Sequence, residues 1–339
     1  RLREILTTSF QQNFGEGSAF QQAWGSLVDT LIIIWDEKIA TGLGLPSWDE
    51  IAAIWSNTGD GTSFEEIVDN LIASSRARLP VFNTNAARIQ QEIGKEEPDL
   101  RQIEKLIVSD QALTAEVLRF SNSSFYKGLT QVATVRNAIV RLGVNEVSNI
   151  VMTVTHESQF RSKDPFLHGV MRKLYLHALG TAVAAHWLCR HCGLHGIAHE
   201  AFFAGLLHDV GKLFILTVID DLMHSGRHAT HPSTALLMEA MDHLHTGHGH
   251  TLMHHWNLPE KYAEVARHHH DEALDSENYL ALTVRLANKT CNKMGIGLRQ
   301  DSGVVLMATP EANELHLSEV DIAKMEILLE DTQALGIKN

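Results

Sequence analysis

An imidazole and a carboxylate stand side by side in the run Leu206-Leu207-His208-Asp209-Val210-Gly211-Lys212, inside an otherwise apolar helical stretch. Each supplies a deprotonated ligand near neutral pH, so the pair favours a divalent metal ion, and an ion held there can draw hydroxide from water. Eighteen of the twenty-one histidines fall between His177 and His270, which puts further imidazoles within reach of such a site. His177 lies in mid-helix, His245 sits in Asp242-His243-Leu244-His245-Thr246-Gly247, and His269 and His270 close a later helix. Lys212 falls at i+4 from His208 and i+3 from Asp209, on the same helical face. There its ammonium can neutralise a phosphate, and ligands from several helices converging on one pocket would suit a metal-dependent phosphohydrolase.

Each residue also has a plainer role. His177 alone fits a helix surface or a hydrogen-bonded core position, and Lys212 fits a cation near the negative pole of a helix dipole. His243, His245, His248, His250, His254 and His255 are so dense that most must face solvent. Asp209 weighs the other way: set among Leu207, Val210 and Leu213, a buried carboxylate needs a cation or hydrogen bonds.

The elements that must position these groups read as helices almost throughout. Apolar residues at helical spacing predict segments over about Tyr175 to Cys192, Glu200 to Val218, Ser233 to Trp256, Glu260 to His269 and Asn278 to Met294. Upstream, Ile89, Ile93, Leu100, Ile103, Ile107, Leu113, Val117 and Leu118 trace short amphipathic helices. Asp99 and Asp110 stand as N-caps there, and Gly94, Pro98 and Gly128 as breaks. Few stretches alternate with period two, so the expected fold is all-α, a multi-helix bundle. Residues 1–75 hold four of the six tryptophans and no histidine, with a capping box at Ser47 and Glu50, and read as a separate N-terminal helical region without chemistry of its own. The expected division is 1–75, then 76–295 in two halves (76–165 and 166–295), then a C-terminal helical extension over 296–339.

Composition narrows the function. A chain of 339 residues with formal charge −13 argues against a nucleic-acid surface. Three cysteines imply no disulfide framework and fit a reducing cytoplasm, with the Cys189-x-x-Cys192 pair reading as buried small hydrophobes. No run approaches the roughly 18 uninterrupted apolar residues of a membrane span, and nothing at Arg1 resembles a signal peptide, so no membrane association is expected. A chain opening on Arg1 suggests that an upstream part is missing.

Taken together, several motifs resemble the HDOD domain, the HD-related output domain of bacterial signalling proteins. They are Leu79-Pro80, the stretch Asp110-Gln111-Ala112-Leu113-Thr114 through Asn122-Ser123, Phe125-Tyr126, Ala138-Ile139 through Leu142-Gly143, the His208-Asp209 run, Trp256-Asn257-Leu258-Pro259 and His269-His270. They span about residues 79 to 290, with Gln111 where the family usually has proline. The resemblance implies an HD-like bundle related to the HD and HD-GYP phosphohydrolases. It also implies that His177, His208, Asp209, His245, His269 and His270 match ligand positions of the catalytic relatives. Asn288 stands where those relatives carry a ligating aspartate; its amide oxygen can coordinate but brings no charge. The Gly-Tyr-Pro motif of the cyclic-dinucleotide phosphodiesterases is missing, since Asp271-Glu272-Ala273-Leu274 follows His270.

Two readings follow. In the first, the chain is a signal-transduction output module that binds a signalling protein partner, its pocket holding a divalent ion (iron, manganese, nickel or zinc), with weak catalysis or none. In the second, it is a working phosphohydrolase acting on a nucleotide or phosphodiester. There Asp209 bridges two ions, with His177 and His208 on one and His245, His269 and His270 on the other, while Lys212 steadies developing charge. A histidine cluster acting as a pH sensor is a third idea, which leaves the His-Asp-Gly-Lys pattern unexplained.

Overall fold

Asp99 and Asp110 each open a helix as its N-cap. The Asp99 carboxylate accepts from the Arg101 and Gln102 amides and that of Asp110 from the Leu113 amide, satisfying donors that a helix start leaves orphaned. The computed structural model describes residues 84–336 except 94, 96, 123–130, 225–231 and 274, together with residue 72, all within one compact unit. The capping box at Ser47, the 1–75 region apart from residue 72, Leu79-Pro80, the breaks at Gly94 and Gly128, Ser123 and Phe125-Tyr126 lie outside the described residues.

The first helices are α1 (Thr84–Ile93), α2 (Leu100–Val108), α3 (Gln111–Ser121), α4 (Val135–Leu142) and α5 (Val144–Glu157). Each of the first four turns one apolar stripe inward, whereas α5 buries residues on every side, from Val147 to His156. That is why α5 can serve as the spine on which α1, α3 and α4 pack, and through which this half meets the next. Asn122 closes the half: its amide donates to the carbonyls of Leu118 and Val132 and accepts from the Val132 amide.

The second half is built on α6 (Pro165–His191), followed by α7 (Ala198–Leu207), α8 (Val210–His224), α9 (Thr234–His255), α10 (Glu260–His268), α11 (Tyr279–Lys293), α12 (Pro310–Glu314) and α13 (Glu319–Gly336). Helices α7, α11 and α13 pack along α6, α8 pairs with α9, and α9 turns back as α10. The fold is all-α, with no strand among the described residues.

Two helices differ from the sequence expectation. Helix α6 begins ten residues before Tyr175, because Asp164 caps the Leu167 amide and Pro165 occupies the first turn, where its missing N–H costs nothing. The expected helix from Glu200 to Val218 is broken at His208 and Asp209, between α7 and α8. Here the His208 ring bonds the Gly205 carbonyl, an acceptor the regular helix ladder would otherwise give to the next backbone amide.

Close helix packing explains two of the glycines. A Cβ on Gly211 would sit 1.9 Å from the His245 carbonyl oxygen, and one on Gly205 would sit 2.8 Å from the Ala182 Cα, so only glycine lets α8 meet α9 and α7 meet α6 at these points. By length and composition one stretch among the described residues, His195–Asp221, could cross a membrane, which amends the expectation that none comes near. It is buried in the bundle, as the core segment of a globular domain is. Cys189 and Cys291 are buried free thiols and Cys192 is partly so; burial pushes Cys189 up to about 11.

Candidate metal centre

Three helices and one junction deliver the polar groups of the bundle's interior to a single point. His177 comes from the middle of α6, His208 and Asp209 from the α7–α8 junction, His245 from the buried face of α9, and His269 from the end of α10. All five side chains are buried, and Asp209 is their common neighbour. Its Oδ2 lies 3.6 Å from His177 Nε2 and 3.4 Å from His208 Nε2; its Oδ1 lies 3.5 Å from His245 Nε2 and 3.4 Å from His269 Nε2. His270 joins the Oδ1 side from the exposed mouth of the site.

The far nitrogen of each buried imidazole settles its tautomer. Nδ1 of His177 donates to the Ile296 carbonyl at 2.9 Å, that of His208 to Gly205 at 2.8 Å, that of His245 to Asp242 at 3.1 Å and that of His269 to Ala266 at 2.9 Å. A carbonyl can only accept, so the proton is on Nδ1, and every Nε2 turns a lone pair toward the carboxylate. Burial keeps His177 and His208 below the usual imidazole range, His208 far below, and pushes His245 down to about 3, so these three rings stay neutral. Burial alone would raise the Asp209 carboxyl, but the Lys212 ammonium beside it holds it well below the usual carboxylate range.

Lone pairs therefore face lone pairs. On the Oδ2 side the Lys212 ammonium, 2.7 Å away, supplies a positive charge. On the Oδ1 side no such group stands: Asp209 Oδ1 is buried without a hydrogen-bond partner, and the Nε2 atoms of His245 and His269 approach to 3.4 Å. Ligands bonded to one ion at about 2.0–2.2 Å are about 3.0–3.5 Å apart. These donors match that spacing, and the anchored rings are the arrangement that orients metal-ligating histidines. The residues present therefore fit a divalent ion.

Asn288 is buried on α11 beside His177, and its Oδ1 accepts from Asn292 Nδ2 at 3.0 Å. Beyond Asp209 a cleft opens between Leu174, Met238, Met241 and Leu298, with Lys212 and Arg299 as its cations. Arg299 is already paired with Asp242.

The loop from Gly295 to Arg299 is a part of the site that sequence reading did not pick out. Ile296 anchors His177, and a Cβ on Gly297 (φ +126°) would come within 2.9 Å of the His177 Cβ. The signal was the spacing of Gly295 and Gly297, two glycines that let backbone pass close to a side chain. A second missed support is Glu311, fully buried on α12, which binds Arg285 and Lys289; Arg285 in turn donates to the Asp271 and Ala273 carbonyls and so fixes the segment after His270.

Comparison with known proteins places this geometry. The family model of the HDOD domain matches residues 79–272. An uncharacterized protein of Treponema pallidum (strain Nichols) is 25% identical over 220 residues, which are 62% of this chain and 42% of that protein, so the chain spans less than half of that relative's length. Among solved structures, an HDOD domain protein with unknown function from Geobacter sulfurreducens superposes with a TM-score of 0.62 at 20% identity, covering 80% of this chain and 95% of that one. A "Putative metal-dependent phosphohydrolase" from Shewanella amazonensis SB2B gives 0.60 at 18% identity, covering 79% and 98%. At these identities the two structures show the shared fold.

Proposed function

The chain belongs to the HDOD domain family, and from that premise we propose that it is a bacterial signal-transduction output module whose His/Asp pocket holds one divalent ion and turns over phosphodiesters slowly or not at all. The observation that carries the reading is the division of labour at Asp209. Both sides of Asp209 offer ligand sets, and His208 Nε2 on the Oδ2 side is unpartnered too. Oδ2 is already neutralised by Lys212, however, whereas Oδ1, unpartnered and faced by His245 and His269 with His270 at the mouth, has no such cation and takes the ion in this reading. Two divalent ions would bring four positive charges to a pocket whose ligands include a single carboxylate, and Asn288 adds none. Iron, nickel and zinc suit imidazole-rich donors, while manganese would lean on the carboxylate and on water. When bound, the ion would polarise a phosphoryl oxygen and lower the pKa of water.

The chain's own groups then explain weak turnover. Lys212 is committed to Asp209 and Arg299 to Asp242, so neither cleft cation is at liberty to receive a phosphate. The pocket serves in this account to tie α6, α8, α9 and α10 together, while the surface of the helices before residue 150 meets a signalling protein. The competing reading is a working phosphohydrolase, and the near-complete ring of ligand atoms around Asp209 favours it. The two separate in an assay of bis(p-nitrophenyl) phosphate hydrolysis with each of the four metals. The module predicts a wild-type rate within about tenfold of Asp209→Ala, and a rise in metal affinity and rate for Asn288→Asp; a wild-type rate about a thousandfold above Asp209→Ala would establish the enzyme instead.

A further inference from the structure

The outer edge of the α9–α10 hairpin carries a second set of ligand atoms. His250 and His254 lie one turn apart on α9, the i, i+4 spacing that puts two imidazoles on one helical face. Their Nε2 atoms are 3.2 Å apart and their rings meet edge to face at 4.4 Å. Across the turn, Glu260 at the start of α10 brings Oε1 to 3.7 Å from His250 Nε2 and Oε2 to 3.3 Å from His254 Nε2. Glu264, one turn on, adds Oε1 at 3.8 Å from His250, while its Oε2 faces His268.

The backbone holds these groups together. Asn257 in the left-handed region (φ +54°) closes α9, with its amide donating to the His254 carbonyl and the Leu258 amide to that of Met253, and Pro259 then starts α10. No lysine or arginine pairs with Glu260 or Glu264 among the described residues, and the neighbouring Lys261 is turned away onto Glu200. Two imidazoles whose Nε2 atoms touch can share one proton at most. Carboxylates complete the set, so imidazole nitrogens and carboxylate oxygens surround one point that no lysine or arginine among the described residues neutralises.

We propose that His250, His254 and Glu260 form a solvent-facing site for a second divalent ion of the zinc, nickel or copper(II) class, with Glu264 available as a fourth ligand. Two imidazoles and one carboxylate at the surface, with water completing the shell, suit these borderline ions better than magnesium or calcium, which prefer oxygen alone. The ion would staple α9 to α10, the two helices that carry His245 and His269. This site is separate from the buried pocket and does not depend on the function assigned to it.

The test is equilibrium dialysis of the full chain against zinc chloride. The wild type is compared with the double variant His250→Gln/His254→Gln, with Glu260→Gln, and with Asp209→Ala alone and combined with the double variant. His254 and Glu260 are exposed and His250 is partly buried, and glutamine keeps a polar side chain of similar size there, so the metal-free double variant should melt close to the wild type. The proposal predicts one zinc fewer per chain in the double variant than in the wild type and weakened zinc binding in Glu260→Gln. It also predicts that Asp209→Ala still binds zinc and loses that zinc when His250 and His254 are replaced. Equal zinc content in wild type and double variant would overturn it, and that comparison stands even if Asp209→Ala does not fold. Magnesium chloride in place of zinc should show no difference between the two proteins; a difference of the same size would refute the metal class.

Discussion

Replacing Gly211 with alanine should both destabilise the protein and disarm the buried pocket. The added Cβ would lie 1.9 Å from the His245 carbonyl oxygen, 2.7 Å from its carbonyl carbon and 2.8 Å from the Gly249 nitrogen. An ordinary contact needs about 1.5 Å more than the shortest of these. All three obstacles are backbone, so no rotamer change relieves them and α8 must part from α9 by more than about 1 Å. Alanine's better helix propensity returns up to about 1 kcal/mol, while overpacking of this kind costs about 3 kcal/mol or more. The net loss of about 2 kcal/mol or more corresponds to a fall in Tm of about 4–8 °C for a domain of this size. Because His245 travels with α9, its 3.5 Å separation from Asp209 Oδ1 would widen by about 1 Å, well beyond the ~0.2 Å tolerance of a metal site. Differential scanning calorimetry and elemental analysis of one preparation read both effects. Gly247→Ala is the control: its Cβ meets nothing within 4 Å, so it should raise Tm by a few degrees and leave metal content unchanged. A Gly211→Ala protein that melts with the wild type and keeps its metal would refute the reasoning.

Acid should weaken the fold through histidines away from the pocket. Burial pushes His156 down to about 3 and His199 to about 4, so between pH 6.5 and those values the unfolded chain takes up protons that the folded chain refuses. Stability is therefore full above about pH 6.5 and falls with pH, by about 2 kcal/mol per group at pH 5. Urea midpoints should be lower at pH 5 than at pH 7, and His156→Leu should narrow the difference; a midpoint independent of pH over this range would contradict the burial argument. Glu311→Ala should cost about 3 kcal/mol by leaving Arg285 buried without its carboxylate, and should loosen the segment after His270. Calorimetry with hydrogen exchange at residues 271–273 checks both, and an unchanged Tm would exclude the proposed support.

The His208-Asp209 pair, the all-helical character and most of the second-half helix ends follow from apolar periodicity, and Ser233 and Asn278, where two helices were expected to begin, do cap them. Three of the four imidazole anchors are also local, each Nδ1 bonding a carbonyl three residues back, and so follow from where each histidine sits on its helix. The fourth, Ile296 to His177, joins residues 119 apart, and no local pattern specifies it. Gly211 illustrates the same limit. Its place beside Asp209 suggested part of a motif, whereas its physical role is the contact with a carbonyl on another helix. Among the six histidines from His243 to His255, spacing alone did not single out His245 as the buried one; the packing of α9 against α8 does.

The most direct test of the account is the metal content of untagged protein purified without chelator, measured by mass spectrometry for the wild type and Asp209→Ala. Both proteins should carry His250→Gln/His254→Gln, so that only the buried pocket is counted. The account predicts close to one ion of iron, manganese, nickel or zinc per chain, lost in Asp209→Ala. Equal metal in both proteins, or a wild-type pocket that stays empty after incubation with all four ions, would contradict it.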